Sequence, residues 1–176
     1  MKYRRLIPTT LFGCFVMMSV LRAETTRFGV TLTGDQEVPP VETNAIGLAT
    51  VEYDDVTKTL DVNITVKGFT VGEIQGFHLH APAAPGVIAP VIVNFGTDFE
   101  QFGNLASLIV TDVPLADPGV NEANLLGGLT YLNVHSADFP SGEIRGQLVP
   151  EPTTCALATL GILGMASLIG TRRRRR

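Results

Sequence analysis

From Thr59 to Lys67 the chain alternates polar and apolar at every step. Leu60, Val62, Ile64 and Val66 fall on one side, and Thr59, Asp61, Asn63, Thr65 and Lys67 on the other. Successive side chains of an extended strand point to opposite faces, so this pattern makes one dry face as a β-strand, whereas a helical period would scatter the same residues around the axis. The pattern recurs. Phe28, Val30 and Leu32 alternate, as do Ala49, Val51 and Tyr53, and the run from Asp54 to Lys58 supplies turn residues for a hairpin into the next strand. Residues 74–80, 91–95, 105–113, 129–135 and 143–149 are further strand segments, set between Gly, Pro and Asp clusters. About eight short strands at this spacing predict an all-β domain, an immunoglobulin-like or Greek-key β-sandwich. Only residues 121–127 read as helix, one or two turns closed by Gly127 or Gly128.

Charge separates this β region from the two ends. Of 13 basic residues, nine lie in the ends: Lys2, Arg4, Arg5, Arg22 and the run Arg172 to Arg176. A basic start, an apolar run from Leu11 to Leu21 and Ala23 form a signal-peptide pattern over residues 1–23. Residues 153–171 carry no charge and as a helix are about 28 Å long, close to the hydrocarbon thickness of a bilayer. The arginines behind them would stay on the cytoplasmic side and leave the domain outside. The division is therefore a signal peptide at 1–23, a domain at 24–149 and a sorting segment at 150–176. Within the domain four basic residues face sixteen acidic ones, a balance of −12 that repels phosphate backbones and argues against nucleic acid as a partner. Both cysteines, Cys14 and Cys155, fall in the ends, so the domain holds no disulfide, thiolate nucleophile or thiolate metal ligand.

The triplet Pro150, Glu151, Pro152, followed by an apolar helix and a terminal arginine cluster, resembles the PEP-CTERM sorting signal. That resemblance implies processing by an exosortase, a membrane transpeptidase of Gram-negative bacteria that make extracellular polysaccharide. It implies an address that is the inner membrane in passing and then the cell surface or extracellular matrix. The domain in turn resembles the CHRD module of chordin and of bacterial exported proteins. The resemblance rests on the segments at 32–40, 47–51, 76–80 (Gly-Phe-His-Leu-His) and 131–136, and most specifically on Gly-Glu-Ile-Arg-Gly-Gln-Leu at 142–148. It implies a β-rich extracellular module without an established catalytic activity, with polysaccharide or envelope proteins as partners.

A search for catalytic machinery finds no nucleophile elbow, no zincin helix motif and no phosphate-binding loop. Ser136 and His135 are adjacent on a strand, point to opposite faces and make no dyad. No catalytic residue is assigned, and the chain is expected not to be an enzyme. Glu143 and Arg145, two apart on one strand, are read as a surface charge ladder in preference to a patch that reads a carboxylate or sulfate. Asp112, Asp117, Asn121 and Glu122 are read as a solvated acidic loop in preference to a calcium site.

His78 and His80 share a strand face, in a segment locally similar to copper-zinc superoxide dismutase. With three histidines in the domain a dinuclear site lacks imidazoles, and dismutase activity is excluded. An internal echo links His80, followed by Pro85-Gly86, with His135, followed by Pro140-Ser-Gly142. It predicts adjacent strands, His78 aligned with Asn133, and His80 and His135 at one end of the sandwich. The preferred reading is that each imidazole bonds the backbone of its own loop, with no cofactor. The alternative is a divalent metal at His78, His80 and His135, for binding or for metal-dependent chemistry, which requires at least two imidazoles to converge at about 2.0–2.1 Å from one ion.

Overall fold

The structure, a computed structural model, describes residues 25–151. The signal peptide expected at 1–23, the helix at 153–171 and the arginine tail lie outside the described residues. Among those described, no helix is long and apolar enough to cross a membrane.

The alternating segments become strands because one face of each is sealed. β1 (Thr25–Thr33), β2 (Ile46–Asp54) and β3 (Thr59–Lys67) form an antiparallel meander, and Leu60, Val62, Ile64 and Val66 are each at most 1% exposed. Each such side chain contributes about 1.5–3 kcal/mol when taken out of water. The chain continues through β4 (Ile74–His80), β5 (Val91–Asn94), β6 (Glu100–Phe102) and β7 (Leu105–Pro114). Helix α1 (Pro118–Leu126) follows, then β8 (Thr130–Ser136) and β9 (Ile144–Leu148). The helix begins three residues earlier than the sequence predicts because Pro118 opens it, a position where its missing N–H costs nothing.

All strand neighbours are antiparallel, in the order β5-β4-β8-β9-β1-β2-β3-β7-β6. The all-β class stands, but the two-sheet sandwich is corrected to one curled sheet of nine strands. Chain connectivity enforces the curl. The two edge strands, β5 and β6, are joined by residues 95–99, a link that reaches at most about 21 Å. A flat sheet of nine strands would hold its edges about 38 Å apart. Phe95 and Phe99 fill the junction by packing on Phe77, with ring centroids 4.9 and 6.0 Å away. Between β1 and β9, where the strand order passes from one half of the sheet to the other, the paired residues are Thr33 and Arg145. The two halves then close on one core that includes Phe28, Ile64, Leu79 and Ile144.

Candidate metal centre

β4 and β8 lie side by side, with Gly76 opposite His135, His78 opposite Asn133 and His80 opposite Tyr131. Phe77 and Leu79 turn into the core at 0% exposure, which commits His78 and His80 to the other face. Gly76 leaves a vacancy there, and the His78 ring occupies it. A Cβ on Gly76 would sit 2.7 Å from His78 Cε1 and 3.6 Å from His135 Cδ2. The three rings converge over this gap, with centroids 4.7 Å apart for His78 and His135, 5.8 Å for His78 and His80, and 6.1 Å for His80 and His135.

Two of the rings have fixed tautomers. His80 Nδ1 lies 2.9 Å from the Ala89 carbonyl oxygen and His135 Nδ1 lies 2.9 Å from that of Pro140. A carbonyl only accepts, so in the neutral ring each Nδ1 carries the proton and each Nε2 presents a bare lone pair. His80 Nε2, His135 Nε2 and His78 Nδ1 are buried and have no hydrogen-bond partner. One nitrogen from each ring lies within 4.8 Å of one from each of the others. Burial, reinforced by the neighbouring His135 and His80, pulls the His78 pKa down to about 4. Burial also lowers that of His80, against the opposing effect of the Ala89 bond. Both rings are thus neutral bases at pH 7, the form that binds metals.

Behind the histidines stands a stack that the sequence does not reveal. Tyr131 lies parallel to His80, centroids 4.6 Å apart and planes at 4°, and the Arg145 guanidinium covers Tyr131 at 3.5 Å. Arg145 donates to the carbonyls of Val87 and Ala84 and to Gln147 Oε1. Gln147 donates to the Ala83 carbonyl, and the Ala89 N–H donates to the Tyr131 hydroxyl. The loop at residues 81–90 is therefore held from β4, β8 and β9 together.

The surface ladder of Glu143 and Arg145 is corrected. Arg145 is 2% exposed and Glu143 is 7% exposed, and Glu143 precedes β9 and accepts bonds from Thr43 and Ser136. Arg145 bonds an aromatic ring and loop carbonyls and feels the Glu37 carboxylate at longer range; among the described residues the close ion pairs are Arg27–Glu52 and Lys58–Glu122. Ser136 is thereby engaged away from His135, as strand geometry requires.

The residues read as an acidic loop have other partners: Glu122 pairs with Lys58, Asn121 donates to the Ala116 carbonyl, and the Asp112 N–H donates to Asp61; the metal-ligating cluster found among the described residues is the histidine group. The echo holds for strand adjacency and for His78 with Asn133. It is corrected on the ends, since antiparallel strands send the turns after His80 and His135 in opposite directions. The rings meet because the Gly76 vacancy lets them lean together. Val149 alone separates β9 from Pro150 and Glu151, the Glu151 N–H donates to the Arg27 carbonyl, and Pro152 lies outside the described residues.

No curated protein and no solved structure matches the chain. The sequence pattern of the CHRD domain matches residues 28–148, from β1 to the end of β9 and across all three histidines. The chain belongs to the CHRD domain family.

Proposed function

We propose that the protein is an exported, non-enzymatic β module. An exosortase would sort it to the cell surface or extracellular matrix of a Gram-negative bacterium, where its binding role is to hold one transition-metal ion between His78, His80 and His135. The three-part C-terminal segment and the acidic, cysteine-free domain support the address. One observation carries the binding role: each of the three rings holds a buried nitrogen without a hydrogen-bond partner, and the rings bring one nitrogen each within 4.8 Å of the others. An unmet buried polar group costs about 1–3 kcal/mol, a cost that a shared cation removes. The loop carbonyls on His80 and His135 serve as the outer half of the site, fixing which nitrogen faces inward. Three neutral imidazoles fit zinc, copper, nickel or iron and are a poor match for calcium or magnesium, which take oxygen ligands.

The test uses the whole chain purified in detergent, dialysed against Zn²⁺, Ni²⁺ or Cu²⁺ and analysed for bound metal. A single ion retained per chain, lost in His80→Gln, is the expected result. Gly76→Ala keeps every histidine but displaces the His78 ring, and it too should weaken binding. No ion retained in the unmutated chain would overturn the proposal.

A further inference from the structure

Resting on the reading that the three histidines share an ion, we infer that the site is a closed, three-coordinate centre for monovalent copper. Three observations carry this. The first is closure: His78 Nδ1, His80 Nε2 and His135 Nε2 are all buried. Zinc in protein sites is almost always four-coordinate, completing its shell with a water or a fourth side chain. Cu⁺, softer and singly charged, is content with three nitrogens in a plane. Asn133 Oδ1, on the residue opposite His78, is also buried without a partner, but its amide is turned towards Gly142 and Glu37: its nitrogen donates to Glu37 Oε1, and both terminal atoms lie within 2.9 Å of where a Cβ on Gly142 would stand.

The second is charge. Three neutral imidazoles bring no anion to offset the ion they surround. The cost of burying an ion grows as the square of its charge, so Cu⁺ costs about a quarter of what a divalent ion of similar size would. The Arg145 guanidinium, one ring behind His80, adds positive potential at that ring; the buried Glu37 carboxylate acts against it through Arg145, but its own burial raises its pKa and it reaches the histidine face only through Asn133. Third is the donor set: imidazole suits copper, and among the described residues no carboxylate or thiolate joins the three rings.

The test is an anaerobic titration of the whole chain with Cu⁺ against a chromogenic Cu⁺ chelator, a parallel Zn²⁺ titration, and X-ray absorption of the loaded protein. The expected result is Cu⁺ held at least about tenfold more tightly than Zn²⁺, with a first shell of three nitrogens at short distance. Zn²⁺ bound as tightly as Cu⁺, or a copper shell containing a fourth light atom, would overturn the copper assignment and leave metal binding standing. If neither ion binds, the shared-ion reading fails with it, so the two failures are distinct. His78→Leu, which leaves both loop-bonded histidines in place, should lower Cu⁺ affinity; an unchanged affinity would overturn the three-coordinate geometry.

Discussion

At the residue scale the three histidines are unequal, and their differences can be measured. His80 and His135 each hold a loop through Nδ1, whereas His78 forms no such bond and its Nδ1 is buried without a partner. His78→Leu should therefore raise the melting temperature of the ion-free protein or leave it unchanged while abolishing ion retention; a clear fall would mean that His78 is there for packing. A binding group that costs stability when empty is the usual mark of function. Acid gives a second test. His78 titrates near 6.5 when unfolded and near 4 when folded, so between those values the unfolded chain takes up a proton that the folded one refuses. The contribution is fully present above about pH 6.5 and is lost as pH falls towards 4. Urea unfolding of the ion-free protein across that range should show the decline, and His78→Leu should flatten it.

At the element scale, legibility follows how local each determinant is. β3 and β4 are readable because alternation and flanking turns lie within their own residues, and the structure places them at Thr59–Lys67 and Ile74–His80 as the sequence predicts. β6 escapes because all three of its residues are exposed; it exists only as an edge partner for β7 and has no dry face to announce it. Arg145 is misread for a related reason. The sequence shows a scarce cation among carboxylates, but its partners are a ring on β8 and carbonyls in the loop at 81–90, contacts that exist only once β8 and β9 pair. The histidine pair on β4 was visible from strand period alone, whereas its meeting with His135 depended on register and on Gly76. Arg145→Met should leave the Val87 and Ala84 carbonyls without this donor and loosen their loop. Faster amide exchange at residues 81–90 than in β2 and β3, with a loss of about 2–4 kcal/mol, is expected. Uniform exchange throughout would show that the loop is held by other means.

At the scale of the whole molecule, stability rests on one apolar core shared by the two halves of the curled sheet, with no cysteine among residues 24–149. That fragment should fold as a β-rich protein whose circular dichroism and unfolding midpoint are indifferent to reductant; a reductant-sensitive midpoint would contradict the account. One residue, Val149, separates β9 from Pro150, and the Glu151 N–H still bonds β1 at Arg27, so the segment assigned to sorting starts at the edge of the fold. Intact mass of surface-extracted protein should show a start near Glu24 and loss of everything beyond the region of Pro150 to Pro152, whereas a retained arginine tail would leave simple anchoring. The central claim remains that one ion sits among three imidazoles, and anomalous diffraction from crystals of the exported protein, recorded above and below the copper and zinc absorption edges, tests it most directly. The account predicts a single strong anomalous peak between His78 Nδ1, His80 Nε2 and His135 Nε2. Its contradiction would be the same three nitrogens without anomalous density in crystals equilibrated with either metal.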